Sequence, residues 1–182
     1  MASARDRILD AFEELLLTEG ERAATLDAVA ARAGVSKGGL IYHFPSKDQL
    51  AHGVCERLAA LAAHDAALMR SAAEGPARFY IRSSRYRGTP LDRAIVAVAR
   101  LHQGGNTEAV ATLRAVEAQW LAILAESLRD DDAAQAIKLM GDGLYYEALF
   151  RLPTGVPPVE SDAVGNDLEL ERLFRVIDKI VG

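Results

Sequence analysis

The chain has 182 residues, a formal net charge of −5 and half its residues apolar, with 33 Ala and 23 Leu against 12 Val and 8 Ile, a balance that favours helix over strand. Half apolar with a quarter charged excludes disorder, and the single cysteine, Cys55, excludes an internal disulfide or a thiolate metal cluster. Charge-free stretches such as Leu58 to His64 are too short to span a bilayer and no basic-then-apolar leader opens the sequence, so the cytoplasm is the expected compartment, and the acidity argues mildly against a polyanionic partner.

In the first segment Ile8, Ala11, Phe12, Leu15 and Leu16 recur at helical spacing. Ser3 and Asp6 form a candidate capping pair, and Gly20 ends the segment. Thr25 precedes a short helix that turns Leu26, Val29 and Ala30 inward and stops at Gly34. Ser36 is the natural N-cap of a third helix, with Leu40 and Phe44 four apart on its buried side and Pro45 closing it. Ser46 and Gln49 open a long fourth helix that Gly75-Pro76 breaks. Phe79 and Tyr80 lie in a short fifth piece. Leu91, Ile95 and Val98 follow Pro90 in a sixth, which Gly104-Gly105 ends. The seventh places Leu113, Val116, Trp120, Ile123 and Leu124 on one face. Asp130, Asp131 and Asp132 start an eighth, where three acids complement the helix dipole and read as a solvated N-terminus in preference to a metal site. That helix runs to Leu152, and a loop over 153–158 separates it from a last helix bearing Leu170, Leu173, Phe174, Ile177 and Ile180. The expected architecture is all-α with about nine helices.

Residues 26 to 44 carry the informative spacing: small Ala30, Gly34 four positions later, apolar Val35 in the turn, then a second short helix. This is helix-turn-helix geometry, although an αα-corner of an all-α enzyme or lipid carrier shares it. With Leu40 and Phe44 inward, the outward set is Ser36, Lys37, Gly38, Gly39, Ile41, Tyr42 and His43. Two glycines in a short helix cost about 1 kcal/mol each relative to Ala, and close approach to another molecule explains them. In a major groove Lys37 would reach guanine acceptors and Ile41 a thymine methyl, while Thr25, Tyr42, His43 and Lys47 would grip phosphates.

The stretch from Gly34 through Val35, Ser36, Lys37, Gly38, Gly39, Leu40, Ile41, Tyr42, His43, Phe44 and Pro45 to Leu50 resembles the signature of the TetR family of bacterial transcriptional regulators, with Thr25 to Ala33 as its lead-in. The resemblance covers about 50 residues. It implies a DNA-binding domain over 1–46 and an effector-binding and dimerisation domain over 47–182. It places Lys37, Gly38, Gly39 and Ile41 at bases, and Thr25, Tyr42, His43 and Lys47 at phosphates. Ile41 departs from the aromatic residue frequent at that position. The implied partners are a palindromic double-stranded DNA operator, a second copy of the chain and a small-molecule effector, with no membrane, no cofactor and no metal.

Residues 1 to 50 are net −2, whereas Arg32 to Lys47 holds three bases and no acid. That local +3 is what DNA would meet, and weak non-specific binding is the expected result. For an effector, Met69, Phe79, Tyr80, His102, Trp120 and Tyr145 are the bulky or polar residues on otherwise apolar helices. The alternatives are a half-solvated C-terminal histidine for His102 and plain core for Trp120. The eighth helix is apolar on two faces, Ile137, Met140, Leu144 and Ala148 on one and Leu139, Tyr146 and Phe150 on the other. Dimer packing is therefore expected through Met140, Leu144, Ala148, Leu170, Phe174 and Ile177, with Gly141 and Gly143 admitting a close approach. The basic run Arg78, Arg82, Arg85, Arg87 and Arg93 reads as a solvated face before an anion site. No catalytic triad, HExxH motif or phosphate loop is present, and the four histidines lack ligand spacing. An architectural DNA-binding protein, which needs no cavity, is the remaining alternative.

Overall fold

A computed structural model of the chain describes residues 3–151 and 167–181. Among them are nine helices: α1 (Ala4–Thr18), α2 (Leu26–Ala33), α3 (Lys37–His43), α4 (Lys47–Ser71), α5 (Pro76–Ser83), α6 (Pro90–Gln103), α7 (Thr107–Leu128), α8 (Asp131–Arg151) and α9 (Asp167–Val181). The all-α expectation holds. The loop expected over 153–158 lies outside the described residues, as do the side chains of Ala148 and Phe150. Among the described residues no helix is long and apolar enough to cross a membrane.

Local chemistry sets the helix ends. The Ser3 hydroxyl accepts from the Asp6 amide at 3.1 Å and the Asp6 carboxylate accepts from the Ser3 amide at 3.3 Å, a reciprocal capping box. Ser46 accepts from the Gln49 amide at 3.2 Å at the head of α4. Asp130 caps α8 by accepting from the Ala133 amide at 2.9 Å, so the acidic run serves the helix start.

The helices form two compact units, and α4 and α7 each run through both. The first unit gathers α1, α2, α3, α4 as far as Leu61, α6, and α7 as far as Arg114. Its core is the apolar face of α1, with Ile8, Phe12, Leu15 and Leu16 fully buried beside Val29, Leu40, Phe44, Leu50 and Val54. Each such side chain contributes about 1.5–3 kcal/mol of burial. Charged groups share this interior, Asp92 of α6 among them. Glu13 is buried, and Arg57 of α4 lies 3.1 Å from it and 2.7 Å from Asp10. Burial pushes the Glu13 carboxyl up, against the pull of Arg57 and Arg93. Between α4 and α7, His52 Nδ1 lies 2.6 Å from Glu108 Oε1, and its Nε2 faces Glu56 of its own helix at 3.5 Å.

The second unit holds the rest of α4 and α7 with α5, α8 and α9. Its core joins Met69, Tyr80, Ile81, Ile123, Leu124, Ile137, Leu170 and Ile177, with Phe79, Trp120, Met140, Leu144 and Phe174 packed against it. Polar groups enter this core as pairs: the Tyr80 hydroxyl donates to Asp142 at 2.8 Å, Lys138 donates to the other Asp142 oxygen at 2.6 Å, and the Trp120 indole N–H donates to Asp65 at 3.1 Å. Burial and the Asp142 charge push the Tyr80 phenol far above its ordinary range, so it stays a neutral donor. Arg78 and Arg82 of the basic run are tied to Asp178 and Glu74, and Arg85 is buried.

Gly141 of α8 lies against α5, where a Cβ would stand 2.5 Å from the Tyr80 ring and 2.6 Å from the Ser84 hydroxyl. Gly141→Ala is therefore expected to destabilise the protein by about 1–3 kcal/mol through overpacking. Urea unfolding checks it, and an unchanged midpoint would refute the close approach. A second expectation concerns pH. The Glu108 hydrogen bond and charge raise the His52 pKa, with Glu56 adding and Arg5 and desolvation opposing. A raised folded pKa contributes stability that is complete below the unfolded value of about 6.5 and is lost as pH climbs through the folded one. The melting-temperature gap between wild type and His52→Gln should shrink across that window, modestly because the pair is exposed.

Candidate nucleic-acid interface

The α2–α3 pair is built from two capped helices and one left-handed residue. The Thr25 hydroxyl accepts from the Ala28 amide at 3.2 Å, and the Ser36 hydroxyl accepts from the Gly39 amide at 3.1 Å. Gly34 adopts φ 64° and ψ 38°, a conformation that L side chains enter at a cost. The chain reverses there, and the Val35 amide donates back to the Ala30 carbonyl at 3.0 Å.

Leu40 and Phe44 are buried and pin α3 to α1 and α2. This rotates Lys37, Gly38, Ile41, Tyr42 and His43 into solvent, with Gly39 half-buried. Tyr42 is 84% exposed, with the His43 ring edge-on to it at 5.1 Å. Nothing among the described residues requires glycine at position 38, because a Cβ there would meet none of their atoms within 4 Å. Thr25 and Ser36 are exposed beside this face, and Lys47 is half-buried at the start of α4.

The electrostatics differ from the linear count. The +3 segment from Arg32 to Lys47 is not bare, because carboxylates outside that segment reach every lysine and arginine in it. Arg32 spans Glu14 at 2.7 Å and Glu19 at 2.8 Å, Lys37 meets Asp27 at 2.9 Å, and Lys47 meets the Glu21 carboxylate at 2.5 Å and its carbonyl at 2.6 Å. Folding brings acids 10 to 26 residues away onto these cations. A count along the chain misses Asp27 and Glu21 for that reason.

The expected effector residues divide. Met69, Phe79, Tyr80 and Trp120 meet in the second unit, with the Tyr80 and Trp120 rings 6.1 Å apart. Tyr145 packs in the same unit on Tyr86, 5.7 Å between centroids. His102 belongs to the first unit, where it is exposed in the last turn of α6. Asp65 and Asp142, the polar partners of Trp120 and Tyr80, carry no sequence signal and emerge only from packing.

Of the residues expected to face a second copy, Leu170 and Ile177 are buried in their own core, and Met140, Leu144 and Phe174 are partly buried against it. Gly141 is covered by Tyr80. Among the described residues, the large apolar side chains exposed on α8 and α9 are Leu139, Tyr146, Leu168, Val176, Ile180 and Val181. Both faces of α8 have the same helical spacing, and only packing separates inner from outer.

A capped helix pair with a left-handed glycine turn and an outward second helix, followed among the described residues by further helices, places the chain in the class of helix-turn-helix folds. Residues 8–54 match the model of bacterial regulatory proteins of the tetR family, and residues 74–169 match that of the tetracyclin repressor-like C-terminal domain. The chain belongs to the TetR family of transcriptional regulators, which are DNA-binding proteins and not enzymes. It is similar to the HTH-type transcriptional regulator AlkX of Mycobacterium tuberculosis, 45% identical over 58 residues that cover 32% of this chain and only 28% of that protein. Its fold is similar to that of a TetR-family member from Streptomyces coelicolor (TM-score 0.68, 20% identity, covering 100% and 99% of the two chains). It is also similar to that of the multidrug binding protein EbrR complexed with imidazole (TM-score 0.55, 21% identity, 100% and 97%).

Proposed function

We propose that the chain is a repressor that binds a palindromic operator as a homodimer through α3 and is released by a small-molecule effector bound within residues 47–182. The observation that carries this reading is the orientation of α3: Leu40 and Phe44 are buried while Lys37, Ile41 and Tyr42 are exposed. Lys37, Gly38, Gly39 and Ile41 then meet base edges, while Thr25, Tyr42, His43 and Lys47 meet phosphates and Ser36 holds the helix start. Lys37 and Lys47 exchange a carboxylate for DNA as they do so.

For pairing, the exposed apolar residues of α8 and α9 are the proposed seam, with Leu139, Gly143 and Tyr146 on one stripe of α8. A two-fold dimer sets its recognition helices about 34 Å apart, on successive major grooves. The effector is proposed to engage Met69, Phe79, Tyr80, Trp120 and Tyr145, with Tyr80–Asp142 and Trp120–Asp65 as the polar groups that orient it. Because α4 is one helix of 25 residues shared by both units, a tilt of α4 on binding is the proposed route from effector to α3.

Selection of operator DNA from a random library tests the reading. The wild type should recover a two-fold sequence. Lys37→Ala should weaken that site by about tenfold or more, the cost of one good base contact, with Tyr42→Ala also losing affinity. Failure of the wild type to select any sequence would sink the proposal. For the seam, Leu139→Glu and Val176→Glu should each shift sedimentation toward the 19.6 kDa monomer and reduce operator binding in parallel. An unshifted dimer in both variants would relocate the interface.

A further inference from the structure

The carboxylates that hold the cations of the helix-turn-helix are not equivalent. Arg32 forks across Glu14 and Glu19 and so ties α2 to α1. Lys47 is half-buried and donates to a backbone carbonyl as well as to the Glu21 carboxylate. Both of these fasten the fold. The third pair is different in kind. Lys37, the first residue of α3, meets Asp27, in the first turn of α2, with both side chains mostly in water: 57% of Lys37 and 71% of Asp27 remain exposed. Lys37 Nζ lies 2.9 Å from one Asp27 oxygen and 3.1 Å from the other; an exposed pair of this sort contributes little to folding, and Asp27 places a negative charge on the outward side of α2, beside the face proposed to read DNA.

We propose that Asp27 is a specificity-determining residue, an internal carboxylate that occupies Lys37 in the free protein and yields it to a DNA sequence that positions a pair of base acceptors against it. This rests on the reading of α3 as the recognition helix. On random duplex, Lys37 exchanges one anion for another, a phosphate for the Asp27 carboxylate, and the freed carboxylate then faces the polyanion. The exchange gains little. At a guanine edge, O6 and N7 together accept from one lysine, and the register set by the other contacts holds Lys37 against them, so the loss of Asp27 is offset there. Discrimination thus comes in part from a cost placed on the wrong sequence. The device suits a chain whose first 50 residues are net negative, because it leaves the exposed lysine of α3 already neutralised when no operator is present.

The experiment compares wild type, Asp27→Asn, Lys37→Ala and the double variant by fluorescence anisotropy. The probes are a random-sequence duplex and the duplex recovered by wild-type selection, each over a salt series. Asp27→Asn should bind the random duplex about two- to fivefold tighter, the scale of an exposed ion pair. Its slope of log K against log salt should steepen by about 0.9 per recognition helix, as Lys37 begins to displace counterions. The ratio of selected to random affinity should fall, and all of these gains should vanish in the Lys37→Ala background. Asp27→Ser, which keeps a polar residue at the start of α2, should reproduce the result if the asparagine variant folds poorly. An equal gain in the Lys37→Ala background would mean that Asp27 acts through its field alone and would overturn the proposal. So would an Asp27→Asn variant whose ratio of selected to random affinity equals that of a wild type that does select a site. A wild type that selects nothing overturns the assignment of α3 and the role of Asp27 together.

Discussion

Leu40 and Phe44 anchor α3 against α1 and α2, and the character of the DNA-reading end follows from that burial. A seven-residue helix has no stability of its own, so α3 exists because two large side chains on one face enter a core made by Ile8, Phe12, Leu15, Leu16 and Val29. The same rotation sends Lys37, Ile41 and Tyr42 outward. The left-handed Gly34 sets the angle at which α3 arrives, and the Ser36 hydroxyl satisfies the Gly39 amide at its start. Packing that stabilises the unit and exposure that suits it to a groove are two sides of one helix.

Charge is arranged on the same scaffold. An acidic chain that binds DNA is expected to separate its charges in space, and here it pairs them. Every cation between Arg32 and Lys47 meets a carboxylate from α1, from the segment between α1 and α2, or from α2. Pairs that cross between elements and are partly shielded tie the unit together, while the exposed pair at the head of α3 is poised for exchange. An ion pair therefore does different things at different depths: fastening where water is partly excluded, competition where it is not.

The second unit solves a different problem, how to carry polar side chains inside a helical core. Tyr80, Lys138 and Asp142 satisfy one another, and Trp120 reaches Asp65, so the interior keeps hydrogen-bonding groups without orphaned ones among these five. Gly141 lets α5 and α8 approach until the Tyr80 ring fills the space of a side chain. With that face of α8 committed to its own core, Leu139 and Tyr146 on the opposite side stay exposed.

The sequence by itself determined the all-α class, the helix ends and the helix-turn-helix. Capping residues, Gly34, and the spacing of Leu40 and Phe44 act within a few positions along the chain, and such local chemistry is readable in order. Tertiary structure decided whatever depends on residues far apart in sequence. It decided that Asp27 neutralises Lys37 and Glu21 holds Lys47, where a linear count leaves three free bases. It decided that His102 is exposed, because an apolar stripe on α6 does not say what the end of the stripe will face. It also chose between the two apolar faces of α8. Periodicity shows that a helix has two sticky sides; which one turns inward is a property of the neighbours, and Tyr80 against Gly141 is the contact that settles it.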